Sequence, residues 1–182
     1  MTALARIDEL IGWLVPSNRD ISQKELISKF LELSLGKCLG ARIFVVGSSA
    51  TNTCLQNEVL DINLYLCKGQ EEKWFSRANE SFFSRSSPSS TNLNLKKVSF
   101  LPLDNRLELV INEMIVNISP NNLSSLYFTA LQEEFNTLIG SDNLFKKSLL
   151  LIKAWLQYDA PRYIKGFSCF SSMIVLIFNA GR

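Results

Sequence analysis

The chain has 182 residues, 47% of them hydrophobic and 20% charged, with a formal net charge of +2. That is about one globular domain's worth of sequence with enough apolar mass for a core, without the composition of global disorder or a strongly basic tail. It contains no histidine, which removes His-based acid–base catalysis, Ser–His–Asp triads and His-ligated zinc together.

The N-terminal apolar residues Leu4, Ile7, Leu10, Ile11 and Leu14 recur at helical spacing, and Pro16 ends the run. Ser22 and Glu25 have the spacing of a capping box, predicting a second helix with Leu26, Ile27, Phe30, Leu31 and Leu33 on its apolar face. Gly36 or Gly40 ends it. The period then changes. Residues 42–46 form a short β-rich run that stops at Gly47-Ser48. Residues 60–67 alternate, with Leu60, Ile62, Leu64 and Leu66 on one side and Asp61, Asn63 and Tyr65 on the other, as a half-buried strand with a polar face requires. A helix is expected over 71–83, and a Ser/Pro/Asn-rich surface loop over 84–94. Strands at 107–111 and 114–118 meet at Asn112-Glu113, a hairpin turn.

The remainder reads as helical. Asn121 or Asn122 caps a helix reaching Ile139 and Gly140. Ser141 or Asp142 caps the next, with Phe145, Leu149, Ile152 and Leu156 on one face. After Pro161 a last helix is expected over 168–178. This order predicts an α+β fold, a small mixed sheet with a helical lobe. The apolar stretches 149–156 and 173–178 are too short to cross a bilayer, so no membrane partner is expected. Cys38, Cys54, Cys67 and Cys169 form no CxxC pair and no signal-peptide pattern precedes them. They read as reduced core residues of an intracellular protein, in cytoplasm or nucleus.

Three segments carry chemistry. Residues 45–66 read VVGSSATNTCLQNEVLDINLYL, residues 110–122 read VINEMIVNISPNN, and residues 138–156 read LIGSDNLFKKSLLLIKAWL. A Gly-Ser turn after a strand offers backbone donors to phosphate. Carboxylates at i and i+2 on a strand face the same way, and with a third from a neighbouring strand they can hold the two divalent ions that nucleotidyl transfer uses.

Together these segments resemble the DNA polymerase β-like nucleotidyltransferases of the poly(A) polymerase and terminal uridylyltransferase type, above all a plant-type poly(A) polymerase-like group. The resemblance runs from about Val45 to Phe178. It implies a palm over 41–120, a helical lobe contributed by 1–40, and a poly(A) polymerase-like helical lobe over 121–182 that is shorter than in the family. Gly47 and Ser48 match the phosphate turn and Asp61 the first carboxylate. Lys153 matches the lysine that binds the triphosphate. Ser171 and Ser172 match a phosphate-contacting pair, with Met173 where the family stacks a tyrosine on the base. Asn63 and Asn117 stand at the other two carboxylate positions. Asp61 is then the one carboxylate left to hold Mg²⁺ or Mn²⁺, weakly. Among nearby acids, Glu58 precedes the strand, Glu113 sits at the hairpin turn, and only Glu108 lies where it can compensate.

Plainer readings stand beside these. Lys153 serves equally as a snorkelling helix lysine, Ser171-Ser172 as a helix start, and Asp61 with Asn63 and Asn117 as a metal-free polar cluster. Three functions follow. The first is a catalytically impaired pseudo-nucleotidyltransferase that keeps nucleotide- or RNA-binding features and acts as a scaffold or regulatory partner for another protein. The second is an active template-independent enzyme adding AMP or UMP to RNA 3′ ends. The third is a truncated relic.

Overall fold

The computed structural model describes residues 3–84, 93–140 and 142–159. The expected helix over 168–178, with Ser171, Ser172 and Met173, lies outside the described residues. Five strands form one mixed sheet: β1 (Arg42–Val46), β2 (Leu60–Tyr65), β3 (Leu95–Leu101), β4 (Arg106–Ile111) and β5 (Met114–Pro120), in the order β1-β2-β5-β4-β3. β2 and β5 run parallel, and the other neighbouring pairs antiparallel. The helices are α1 (Ala3–Leu14), α2 (Asn18–Leu31), a π turn (Glu32–Gly36) leading into the single turn α3 (Lys37–Leu39), α4 (Trp74–Ser84), α5 (Leu123–Ile139) and α6 (Leu144–Tyr158).

Strand alternation decides which face is core. Leu60, Ile62 and Leu64 of β2, Leu107, Leu109 and Ile111 of β4, and Val116 and Ile118 of β5 are buried on one face. They pack against Ile27 and Leu31 of α2, Leu35, Leu39, and Trp74 and Ala78 of α4. The opposite face carries Asp61, Asn117 and Arg106. A smaller cluster joins Leu55 to Leu150 and Ala154 of α6, with Ile11, Leu14 and Val15 packed against it. The N-terminal forty residues therefore divide their packing. α1 lies against α6, but α2 belongs to the core of the sheet rather than to a helical lobe.

Several local expectations are corrected. The capping box of α2 is Ser17 with Asp20, not Ser22 with Glu25. The Asp20 N–H donates to Ser17 Oγ at 3.2 Å, and the Ser17 N–H donates to Asp20 Oδ2 at 3.0 Å. Aspartate fills the third helical position as glutamate would, and Pro16 just before it lets the helix begin a turn earlier. Gly40, at φ +61°, ends the segment in the left-handed conformation. β3 has no counterpart among the predicted elements. It is an edge strand whose residues are only half-buried or exposed, so its sequence LKKVSFL lacks a clean alternation. α6 begins after Asn143, itself left-handed at φ 54° and making no side-chain cap, whereas Asp142 binds Lys147 at 2.8 Å. The Asn112-Glu113 hairpin is present with both residues at positive φ, 48° and 69°, the signature of a type I′ turn. No helix among the described residues is long and apolar enough to cross a membrane.

Candidate functional site

The parallel register of β2 and β5 sets Asp61 beside Asn117, and the antiparallel register of β4 sets Glu108 beside Asn117 from the other side. β1 ends at Val46, opposite Asp61, so the chain turns at Gly47–Ser49 directly over that carboxylate. Gly47 needs its lack of a side chain for backbone reasons: its φ is +67°. Four residues singled out from the sequence, Gly47, Ser48, Asp61 and Asn117, are thus brought to one place by sheet geometry. Gly47, Asp61 and Asn117 border a cleft of about 290 Å³, lined also by Arg106, Thr129 and Gln132, and Ser48 follows in the turn without lining it.

Asp61 accepts a hydrogen bond from Asn117 Nδ2 at 3.1 Å. Burial pushes its carboxyl above the usual carboxylate range, and the Asn117 bond opposes that rise. The Glu58 charge raises it further, while Arg106 and Lys153 act weakly in the other direction. Asn117 therefore turns its NH₂ toward Asp61, and its Oδ1 is buried without a partner.

Asn63 is differently engaged. Fully buried, it donates from Nδ2 to the Asn122 carbonyl at 2.9 Å and accepts at Oδ1 from the Asn122 N–H at 3.1 Å. Asn122 in turn caps α5, its Oδ1 accepting from the Ser125 N–H at 3.2 Å. Asn121, at φ 48°, completes the junction by donating its N–H to Leu64 O and accepting from the Leu66 N–H, both at 2.9 Å. Asn63 is a strut between β2 and the start of α5.

This donor set does not fit a two-metal centre. One carboxylate is present, and it is held by an amide donor. The oxygen of Asn63 faces a backbone N–H, and Asn117 presents nitrogen to Asp61. Small divalent ions demand several oxygen ligands in near-octahedral array. Among the described residues no group of three or more His, Cys, Asp or Glu side chains is placed to hold a metal. Glu108 pairs with Asn117 in register but does not line the cleft, and its carboxylate lies 4.0 Å from Lys97 Nζ.

Lys153 projects from α6 and is buried. Its ammonium donates to Glu58 Oε1 and Oε2 at 2.6 and 2.7 Å and to the Thr53 carbonyl at 2.9 Å. Glu58 also accepts from the Leu55 N–H at 2.7 Å. The lysine matched to a triphosphate ligand therefore ties α6 to the loop following the Gly-Ser turn. On the far side of that turn, Lys24 Nζ of α2 donates to Ser49 Oγ at 3.0 Å.

Sequence reading missed three residues of the cleft. Thr129 Oγ1 accepts from the Gly47 N–H at 2.8 Å and donates to the Ser125 carbonyl at 2.8 Å, which docks α5 on the turn. Arg106 reaches the cleft from β4, and its Nη2 lies 3.6 Å from Asp104 Oδ2. Gln132, only 2% exposed, lines it from α5. Two signals were available. Arg106 stands two residues before Glu108, hence on the same strand face. Ser125, Thr129 and Gln132 recur at i, i+4 and i+7, a polar stripe along one helix face.

No protein-family model matches the chain, and no curated protein matches it by sequence. Solved structures do. The Cid1 RNA terminal uridylyl transferase superposes with a TM-score of 0.69 at 17% identity over 84% of this chain and 46% of its own. A cytoplasmic RNA terminal U-transferase gives 0.64 at 17% identity over 84% and 44%. The Cid1 poly(U) polymerase in its Mg 3′-dATP-bound form gives 0.69 at 18% identity over 84% and 46%. The chain thus spans less than half the length of these neighbours. At this identity the likeness carries the fold: the protein has an α+β architecture with the mixed-sheet palm of the nucleotidyltransferases.

Proposed function

We propose that the chain is a pseudo-nucleotidyltransferase, impaired in catalysis and retaining a cleft for nucleotide or RNA. One observation carries the reading. Asn63, at the position matched to the second carboxylate, has both polar atoms of its side chain bonded to the backbone of Asn122. A residue so engaged is uncharged and already bonded at both polar atoms, and Asp61 alone does not replace the charge that two divalent ions require. Gly47, Asp61 and the polar stripe of α5 still enclose a cleft. The solved neighbours include a complex with the UTP analogue UMPNPP and one with the short product ApU. Those ligands suggest the classes to test here: a nucleoside triphosphate, with Mg²⁺ or Mn²⁺ as the ion if one is held, and an RNA end. Gly47 and Ser48 would meet phosphate. Lys153 would do so only by leaving Glu58, and Ser171 and Ser172 are the remaining candidates. An intracellular setting and a protein partner belong to the same proposal.

The test is transfer of labelled ATP or UTP to a short single-stranded RNA, with Mg²⁺ and with Mn²⁺. The expected result is no extension by the natural sequence, alongside a rise in melting temperature with added nucleotide, as any ligand of the folded state produces. Metal-dependent extension that Asp61→Asn stops would overturn the assignment and make this an active transferase. Absence of both extension and thermal shift would make it a relic of the fold.

A further inference from the structure

Five described residues hold a buried side-chain nitrogen or oxygen without a hydrogen-bond partner: Gln70, Arg106, Asn117, Gln132 and Asn136. Three of the five atoms belong to residues that line the same cleft: Arg106 (Nε), Asn117 (Oδ1) and Gln132 (Oε1). Buried polar groups are normally paired, because leaving one unpaired forfeits its solvation with no return. Their gathering around one cleft, from β4, β5 and α5, describes the chemistry of a missing complement. Arg106 asks for an acceptor, and an anionic one best satisfies a guanidinium. Asn117 Oδ1 and Gln132 Oε1 ask for two donors. The orientation of Asn117 is fixed, because its Nδ2 is the atom bonded to Asp61.

The local charges point the same way. In a two-metal site, three carboxylates are offset by dications, and phosphate oxygens bind to the metals. Here two of the three positions are neutral amides, and the cleft contains one carboxylate and one fixed guanidinium, loosely met by the exposed Asp104. An arriving phosphate therefore finds a cation already in place. The cleft volume, about 290 Å³, is at the lower end of the range of ligand pockets. It suits one phosphoribose unit better than a triphosphate and a primer end together.

We propose that the cleft binds the phosphoribose unit of a nucleotide without a metal ion. Arg106 meets the phosphate in place of the dication, and Asn117 and Gln132 accept hydrogen bonds from sugar hydroxyls. This rests on the nucleotide-binding reading above and adds to it the mode of recognition. The unit comes from a free nucleotide or from an RNA end.

The experiment is calorimetric titration with UMP, uridine and a short oligouridylate, each in EDTA and in Mg²⁺. Natural protein, Arg106→Gln and Asp61→Asn are compared, after melting curves establish that each is folded. UMP is expected to bind in EDTA with an affinity that Mg²⁺ leaves essentially unchanged. Arg106→Gln weakens UMP about tenfold, the loss of one charge-assisted contact, and leaves uridine unaffected. Asp61→Asn, which keeps an oxygen for the Asn117 bond and removes the one negative charge facing the ligand, tightens UMP. The ratio of UMP to oligouridylate affinity identifies the source. The sign of the Asp61→Asn effect decides the mode, and it does so even if Arg106→Gln fails to fold. Binding that requires Mg²⁺ and is lost in Asp61→Asn overturns metal-free recognition and leaves the nucleotide-binding reading standing. Binding of no probe under either condition overturns both.

Discussion

Replacing Asn63 by aspartate restores the carboxylate that the strand pattern implies, and the surroundings of the side chain set what that costs. Asn63 donates to Asn122 O at 2.9 Å and accepts from Asn122 N at 3.1 Å, at a site closed to solvent. An ionised carboxylate keeps the second bond but points an anionic oxygen at the Asn122 carbonyl. The Asn122 carbonyl keeps the Ser125 Oγ donor at 2.8 Å, so the cost is chiefly the buried charge facing that carbonyl, roughly several kcal/mol if it stayed ionised. The side chain limits the total by taking up a proton, since the neutral acid can donate where Nδ2 did. Its folded-state pKa is then raised above the unfolded value of about 3.9. The sign follows: below about pH 4 both states hold the proton and the variant is nearly as stable as the parent. As pH rises the unfolded state ionises first, and stability falls by about 1.4 kcal/mol per unit until the folded-state pKa is passed. At pH 7 we expect a loss of about 3 kcal/mol, and under about 1 kcal/mol at pH 4. Urea denaturation of both proteins across pH 4–7.5 measures the difference directly. A variant as stable as the parent at pH 7 would refute the strut. Selective stabilisation of the variant by Mg²⁺ would show instead that position 63 still faces a metal site.

Three further outcomes are expected. Lys153→Met should lose about 2–3 kcal/mol in chemical denaturation, below the 3–5 for breaking a fully buried pair because the Glu58 side chain keeps 26% exposure. Adding Glu58→Gln should recover part of it, and a loss under about 0.5 kcal/mol would make Lys153 a surface lysine in energetic terms. Gly47→Ala should cost about 1–2 kcal/mol from its φ of +67° alone, because a Cβ there would meet Asp61 Oδ2 only at 3.7 Å, an ordinary contact. Gly47→Asn should cost less, since asparagine tolerates that conformation, and equal melting temperatures for all three would reject the strain argument. Trp74, 2% exposed and donating from Nε1 to Asn105 Oδ1 at 3.1 Å, should lose about 3–5 kcal/mol on Trp74→Ala, read by thermal and urea unfolding. A loss below about 1 kcal/mol would mean the α4 side of the core is not load-carrying.

What was legible in the sequence was whatever a period encodes. Leu60, Ile62 and Leu64 alternate against Asp61, Asn63 and Tyr65, and the structure buries the first set in the core. The hairpin at Asn112-Glu113 and the helix from Leu123 to Ile139 follow from turn chemistry and capping in the same way. β3 was hidden because an edge strand buries too little to impose a pattern. The juxtaposition of Gly47, Asp61 and Asn117 could be reasoned from strand order, but the engagement of each side chain could not. An amide reads the same in a sequence whether it faces a metal, a carboxylate or a backbone. The partner that gives Asn63 its role lies 59 positions away, and Glu58 lies 95 from Lys153. Only the three-dimensional arrangement distinguishes a retained phosphate ligand from an ion pair that fastens a helix.

The two asparagines do more than subtract charge. Three carboxylates converging from β2 and β5 would repel one another, or share protons, unless cations sat between them. With amides at two positions the same face closes on itself. Asn117 donates to Asp61 across the β2–β5 pair, and Asn63 fastens β2 to the residue that caps α5. α5 then presents Thr129 to the Gly47 N–H and Gln132 to the cleft. Hydrogen bonds thereby take over the cohesion that a dication supplies in a metal centre. The helix wall of the cleft is positioned by the very side chain that would otherwise hold the ion. Returning a carboxylate to position 63 consequently does not recover a waiting active site. It weakens the junction of β2 with α5, and any gain in metal affinity must first offset that loss.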